Sequence, residues 1–481
     1  MDGSAAALNA YLVSQHVFEA PADTEKRAAV LLDLTVLVRA WIAGVGASKA
    51  AQDGGAGGKV QTFGSYRLGV HGPGSDVDML CVAPACVTRD DFFTLLPAVL
   101  ARSAQLTELQ AVPGAFVPIL KLEFGGIAVD LIFAQMQLAS VPADLDLQDN
   151  RLLRNLDEVS VRSLNGARTT DVILRLVPHM ESYRSALVAV KHWSKARGIS
   201  SNALGYLGGI NLAIIMARVC QLYPLISDAA VLVHKFFYVL TKWPFPKPIM
   251  LCPVVDVGLG LRQWSPRLYE RDGYDVMPLL TPAYPSTNSA FSTTASALAL
   301  LKKEWARGLR VCDDVLGASG TSGTSGASGT SSWADLCAPY EFFAEFSHFL
   351  QITFSADTMA AFLTWKGYVC AKLRAFVQKL EQVPCVTCRG WSACFPLSTT
   401  SACCFVGLRF TFPAAPAAPV NISAPVAAFK SFMLGWAEHK LDQALDVVHV
   451  KRAQLPAFVI PVGGGGSSSR DEKKRKRPPN I

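Results

Sequence analysis

The chain has 481 residues, 51% of them hydrophobic and 17% charged, which excludes a disordered or fibrous protein and supplies apolar surface for two or three domain cores. The net charge is +7, but the run RDEKKRKR near the C-terminus holds six basic and two acidic residues, so the excess is mainly terminal and does not by itself announce a nucleic-acid partner. Twelve cysteines in a chain of this length fit reduced thiols inside a cell better than a secreted disulfide scaffold.

The opening, MDGSAAALNAYLV, has no basic segment, so no signal peptide is expected. Residues 20–45 read as a helix, with Ala28, Leu31, Leu34, Val38 and Trp41 forming one apolar stripe, and a glycine-rich break follows at 54–58. Next comes FGSYRLGVHGPGSDVDML, where Asp76 and Asp78 are separated by one residue. On a strand, positions i and i+2 share a face, so the two carboxylates would stand side by side. A third acid, Asp130, falls in VPILKLEFGGIAVDLIFA, two β-rich runs joined by Gly125-Gly126 as in a tight hairpin.

Three converging carboxylates make a poor core but a good oxygen cage for Mg²⁺ together with substrate phosphates. Two such ions roughly 4 Å apart can activate a hydroxyl and neutralise the leaving oxygen of a phosphoryl transfer. The Gly64-Ser65 turn complements them, because glycine lets backbone approach a phosphate while the serine hydroxyl and nearby amides donate to it. The competing reading has Asp76 and Asp78 capping a turn and Asp130 exposed on its strand; the FGS turn and the apolar flank MLCVAP weigh against it.

From about residue 154 the pattern turns helical: Tyr183, Ala186, Leu187, Val190 and Trp193 share a face, and residues 203–217, interrupted by Asn211, read as a buried core helix too short to span a membrane. Residues 317–332, all Gly, Ala, Ser or Thr, are expected to be a linker; 333–460 form a small α+β domain; 461–481 form a disordered basic tail whose KKRKR suits nuclear import.

FGSYRLGVHGPGSDVDMLCVAP, FVPILKLEFGGIAVDLIFA, VRSLNGARTTDVIL, NALGYLGGINLAIIMARVCQLYP, KFFYVLTKWPFPKPIML and MPLLTPAYPSTNS together resemble the eukaryotic nuclear poly(A) polymerase family, of the DNA polymerase β-like nucleotidyltransferase superfamily. The likeness extends over roughly residues 18–460. It implies an α/β multidomain protein: a nucleotidyltransferase domain with a palm-like mixed sheet over 18–153, a helical central domain over 154–316 that includes residues 1–17 if these pack on it, and a C-terminal ferredoxin-like α+β RNA-binding domain over 333–460.

The implied activity is template-independent addition of AMP from ATP to RNA 3′ ends, with two Mg²⁺ or Mn²⁺ ions, in the nucleus, beside cleavage-and-polyadenylation factors and without a membrane. By position, Asp76, Asp78 and Asp130 correspond to the metal ligands. Phe63, Gly64, Ser65, Gly72 and Val77 fall in the nucleotide-contacting stretch, Lys191 corresponds to the triphosphate lysine, and Asn165 and Asn202 to polar positions near the nucleotide. Gly209, Ile210 and Ile119 correspond to the adenine surroundings. One departure stands out: Ser200 occupies a position where the family usually has a nucleotide-contacting tyrosine.

The alternatives are a related RNA nucleotidyltransferase with another nucleotide preference and a non-catalytic RNA-binding scaffold. On the residues alone, Lys191 suits a solvated helix face, His71 a structural loop role and Trp365 a core. Lys366, Lys372, Arg374, Lys451 and Arg452 could follow an RNA backbone. Cys385, Cys388, Cys394, Cys403 and Cys404 invite a zinc reading but lack a second CxxC pair, which favours scattered thiols.

Overall fold

A computed structural model describes residues 3–49, 57–320, 331–411 and 420–459, and the chain divides into two compact units, Met1–Tyr340 and Glu341–Ile481.

The first unit is built on five strands, β1 (Lys59–Phe63), β2 (Val77–Ala83), β3 (Leu106–Val112), β4 (Ile119–Phe124) and β5 (Ile127–Gln135), in the order β1-β2-β5-β4-β3. β2 and β5 run parallel and the other pairs antiparallel, so the sheet is mixed as expected. Gly125 and Gly126 both have positive φ, 58° and 75°, and turn β4 into β5.

Alternation sorts the sheet into two buried faces. Val77, Met79 and Cys81 pack under the helix Pro21–Ser48, which contributes Val30, Leu34, Val38 and Ile42 to that core. This is the one helix among the described residues with the length and composition to cross a membrane, and its apolar stripe is spent on the sheet. Leu80, Val82, Ile132 and Ala134 face the opposite way, onto Val161, Leu164 and Ala167 of the helix Glu158–Leu176.

That helix opens a helical layer continued by Met180–Ala196, Gly209–Leu222, Ala229–Lys242 and Ala295–Gly320. The apolar segment expected near 203–217 is the buried helix Gly209–Leu222. The N-terminal helix Gly3–Ser14 joins this layer, with Ser4 Oγ donating to Asp228 at 3.1 Å and the Tyr11 ring meeting His192 edge-on.

Two boundaries differ from the sequence reading. The last helix continues to Gly320, inside the stretch expected to be linker from 317, and residues 321–330 lie outside the described residues. Residues 333–340 belong with the first unit, because Arg307 and Arg197 donate to the carbonyls of Leu336 and Ala338 and the Tyr340 amide donates to Ala196. Trp333 and Leu336 are buried in this segment as well, but which unit an apolar residue packs against is not written in composition, so the sequence reading put the junction too early.

The second unit contains β6 (His348–Ser355), β7 (Val386–Gly390), β8 (Phe395–Ser398), β9 (Ser401–Phe410) and β10 (Ala444–Lys451), with helices Met359–Glu381 and Ser423–Leu434. The order β10-β6-β9-β7, antiparallel throughout and with β8 appended to β9, is the ferredoxin-like arrangement of strand, helix, two strands, helix, strand. Trp365 is fully buried and its indole donates to Ala444 O at 3.0 Å, so it is core. The tail from 461, with KKRKR, lies outside the described residues.

Candidate active site

β2 and β5 bring two of the three acids together. Their parallel register sets Asp78 directly opposite Asp130, and alternation turns both toward the helical layer. Asp76 sits one residue ahead of β2, so a loop acid joins a strand acid where a single strand was expected to carry both. Burial, then the neighbouring charges of Asp76 and Asp130, push the Asp78 carboxyl up to about 7, against the partial relief of Lys121 and Lys191. Like charges gathered this way make a poor packed core and a good set of oxygen donors for a divalent cation.

Lys121 is a site residue the sequence reading missed. It lies opposite Asp130 in the antiparallel β4–β5 register, and its ammonium reaches both carboxylate oxygens at 3.0 and 2.9 Å. The alternation of IAVDL on β5 with KLEF on β4 around the Gly-Gly turn was enough to foresee the pair.

The FGS turn meets the acids from β1. Phe63 pairs with Asp78 in register. Gly64 has φ +62°, and a Cβ there would stand 2.2 Å from Asp78 Oδ2, so only glycine fits both the backbone and the space. Its amide donates to Thr170 Oγ1 at 3.1 Å, and the Phe63 ring lies against Gly166, where a Cβ would approach to 2.8 Å. The turn is thus clamped between β2 and the helix Glu158–Leu176.

Lys191 comes from the other side. Two helical turns separate it from Arg184, so both project from one face of Met180–Ala196. Arg184 Nε donates to Leu68 O at 2.8 Å and Lys191 Nζ to Val70 O at 2.7 Å, holding the turn after the FGS segment. Burial lowers the Lys191 pKa, with Asp76 and Asp78 opposing. The solvated-face reading of this lysine therefore fails: it faces the acids.

Between these elements lies a cavity of about 710 Å³, a size suited to a nucleotide. Of the expected residues, Phe63, Gly64, Ser65, Asp76, Asp78, Asn165, Lys191, Gly209 and Ile210 line it. The other six lie off its wall. Asp130 turns onto Lys121, and the Val77 and Ile119 side chains pack into the two sheet cores. Gly72 closes against the Val17 carbonyl, while Ser200 is exposed and Asn202 accepts from Ser292 behind the wall.

The far wall contains Thr281, Pro285 and Thr287–Ser289, supplied by the quoted MPLLTPAYPSTNS, to which the sequence reading assigned no residue. Buried Asn211 positions this loop: its side chain accepts from the Gly208 amide and donates to Ser289 Oγ at 2.8 Å. An asparagine at the start of the apolar run 212–217 was the available signal. Asn165 is likewise engaged, donating to Pro285 O at 3.0 Å and accepting from Thr169.

Below the acids, an ionic clamp holds the loop that leads into β2. Arg27, 3% exposed, reaches Glu19 through two nitrogens and donates to Ser75 O, the carbonyl just before Asp76, at 2.8 Å. His71 Nε2 contacts the other Glu19 oxygen at 3.2 Å, the structural role expected for it. Although burial opposes ionisation, the Arg27 guanidinium holds the Glu19 carboxyl below its ordinary value.

Three family models match the chain in succession: the poly(A) polymerase nucleotidyltransferase domain over residues 4–177, the poly(A) polymerase central domain over 182–322, and the poly(A) polymerase predicted RNA binding domain over 341–395. The chain belongs to the poly(A) polymerase family. It is 38% identical over 465 residues to nuclear poly(A) polymerase 1 of Arabidopsis thaliana, covering 95% of this chain and 64% of that protein. Identity to poly(A) polymerase pla1 of Schizosaccharomyces pombe is 41% over 387 residues, covering 79% and 66%, and to the poly(A) polymerase of Dictyostelium discoideum 37% over 470 residues, covering 93% and 56%.

The chain thus spans between 56% and 66% of the length of these poly(A) polymerases. A solved structure of Cid1 poly(U) polymerase with MgGTP bound aligns at a TM-score of 0.46 with 15% identity, covering 69% of this chain and 97% of that one. The three matched models follow one another along the chain in the same order as the mixed sheet, the helical layer and the ferredoxin-like unit.

Proposed function

We propose that the chain is a template-independent polynucleotide adenylyltransferase that adds AMP from ATP to RNA 3′ ends and releases pyrophosphate. The carrying observation is the meeting of Asp76, Asp78 and Asp130 beside a nucleotide-sized cavity in a chain of this family.

The donor set suits hard divalent cations, Mg²⁺ or Mn²⁺, because it offers carboxylate oxygens, and positive charge there would relieve both the burial of Asp78 and its repulsion by Asp76 and Asp130. When bound, two such ions supply Lewis-acid activation of the attacking hydroxyl and charge neutralisation at the leaving group. Asp130 would hold the ion on the primer side after leaving Lys121; Asp76 and Asp78 would serve both ions. Lys191, Ser65 and the amides around Gly64 would donate to the triphosphate, and Lys191 already faces Asp76 and Asp78 across the cavity.

Gly209 and Ile210 would bound the adenine. Stacking tolerates every base, so adenine selection falls to the polar far wall around Asn288 and Ser289. The Glu341–Ile481 unit would hold the RNA, as the matched predicted RNA binding domain suggests. Nuclear residence is supported by the name of the Arabidopsis relative and by the basic tail; cleavage-and-polyadenylation factors are the implied partners.

The test is extension of one RNA primer by the purified chain with each ribonucleoside triphosphate in turn, with and without divalent metal. Metal-dependent tails from ATP support the reading. Preference for UTP, or no extension with any nucleotide, overturns it.

A further inference from the structure

The second unit gathers three thiols that the proposed reaction does not use. Cys370 lies on the helix Met359–Glu381, Cys394 just ahead of β8, and Cys404 on the central strand β9. Their sulfurs all lie within 4.8 Å of one another, with Cys394 at 3.3 Å from Cys370 and 2.6 Å from Cys404.

The fold explains the convergence. On β9, Cys404 shares a face with Ala402, Val406 and Leu408, and it pairs with Ile352 of β6. β8 pairs with β9 through Phe395 and Cys403, so Cys394, one residue before the strand, stands beside Cys404 in the continued antiparallel register. The helix lays Cys370 over both. Cys404 is fully buried, whereas Cys370 and Cys394 are partly open.

The CVTC pair that invites a zinc reading from sequence takes no part: the Cys388 thiol contacts Val377 O. The ligands come instead from three separate elements, which sequence spacing cannot reveal.

We propose that Cys370, Cys394 and Cys404 form a three-thiolate site for a soft cation of low coordination number, of the Cu(I) class. Among the described residues no histidine, carboxylate or fourth cysteine completes the group, whereas structural zinc takes four ligands. Thiolates favour Cu(I), and a three-sulfur set needs no further protein ligand. Lys366, one helical turn before Cys370, places a positive charge near the Cys370 and Cys394 sulfurs that offsets the excess negative charge of three thiolates. Around a metal at about 2.3 Å from each sulfur, the sulfurs stand roughly 4 Å apart, so binding would part Cys394 from Cys404 while keeping the group compact. The bound ion would tie the helix to the β8–β9 hairpin.

The full chain, fully reduced, is titrated with Cu(I) supplied as its bicinchoninate complex, and thiol alkylation is mapped by mass spectrometry before and after. The expected result is a tightly held equivalent that suppresses alkylation of Cys370, Cys394 and Cys404 but not of Cys385 or Cys388, and that is lost in Cys370→Ser. The footprint on the unaltered chain needs no variant to fold. Unchanged alkylation of the three, retention of the equivalent in Cys370→Ser, or a Cys394–Cys404 disulfide forming in the presence of Cu(I) with Cys370 left free would overturn the proposal.

Discussion

At Asp78, burial and like charge act in the same direction, and the consequence is measurable. Its carboxyl is raised from the ordinary 3.8 to about 7, so the neutral form favours the fold. That contribution is complete below pH 4 and is lost as pH rises through 7, amounting to at most about 4 kcal/mol. Asp78→Asn should therefore raise the melting temperature of the metal-free chain at pH 8, yet leave it near wild type at pH 4, while abolishing nucleotidyl transfer. Thermal scans at the two pH values with chelator present decide the matter.

The same proton competes with metal. At limiting divalent cation, activity should climb with pH up to about 7, and saturating metal should move that midpoint downward. An acidic limb indifferent to metal concentration would assign it to another group. Asp130→Ala should end extension while primer affinity, measured by filter binding, stays near wild type. Ser200→Tyr should lower the Michaelis constant for ATP; the exposed Ser200 leaves room for a ring, and an unchanged constant would mean that other groups compensate.

Among elements, the loop between the FGS turn and β2 depends on neighbours distant in sequence. Arg27, from the helix Pro21–Ser48, fixes the carbonyl that precedes Asp76, and Glu19 and His71 complete the clamp. Supporting groups one shell away from metal ligands commonly govern affinity by 10- to 100-fold, so Arg27→Ala should raise the metal concentration needed for half-maximal activity by about that factor. Arg27→Lys, which keeps charge but loses the fork, should recover only part. If metal dependence is unaltered and only the melting temperature falls, the clamp serves stability alone. The stripe of the long helix was legible as 3.6-residue periodicity, as was the Gly125-Gly126 hairpin. The clamp was not: no local spacing singles out Glu19 and Arg27 until the fold brings Ser75 to Arg27.

For the whole molecule, the basic excess is concentrated in the sequence RDEKKRKR, so RNA affinity should fall with salt and its salt slope should become shallower when Lys473, Lys474, Arg475, Lys476 and Arg477 are replaced by alanine. A fluorescent fusion of that variant should also leave the nucleus. Normal nuclear retention would place the address elsewhere in the chain.

Local pattern by itself determined the long N-terminal helix, the Gly125-Gly126 hairpin with Asp130, the helical run after residue 154 and the α+β character of the last unit, because periodicity and turn chemistry act over a few residues; the mixed sheet was expected only from the family resemblance. Tertiary structure alone decided what depends on register and on layers meeting: Asp130 falling opposite Asp78 yet held by Lys121, Lys191 turning inward, and the far wall closing behind Asn211. It also decided which cysteines are neighbours, since Cys370, Cys394 and Cys404 share no spacing rule and meet only because a helix lies across a hairpin.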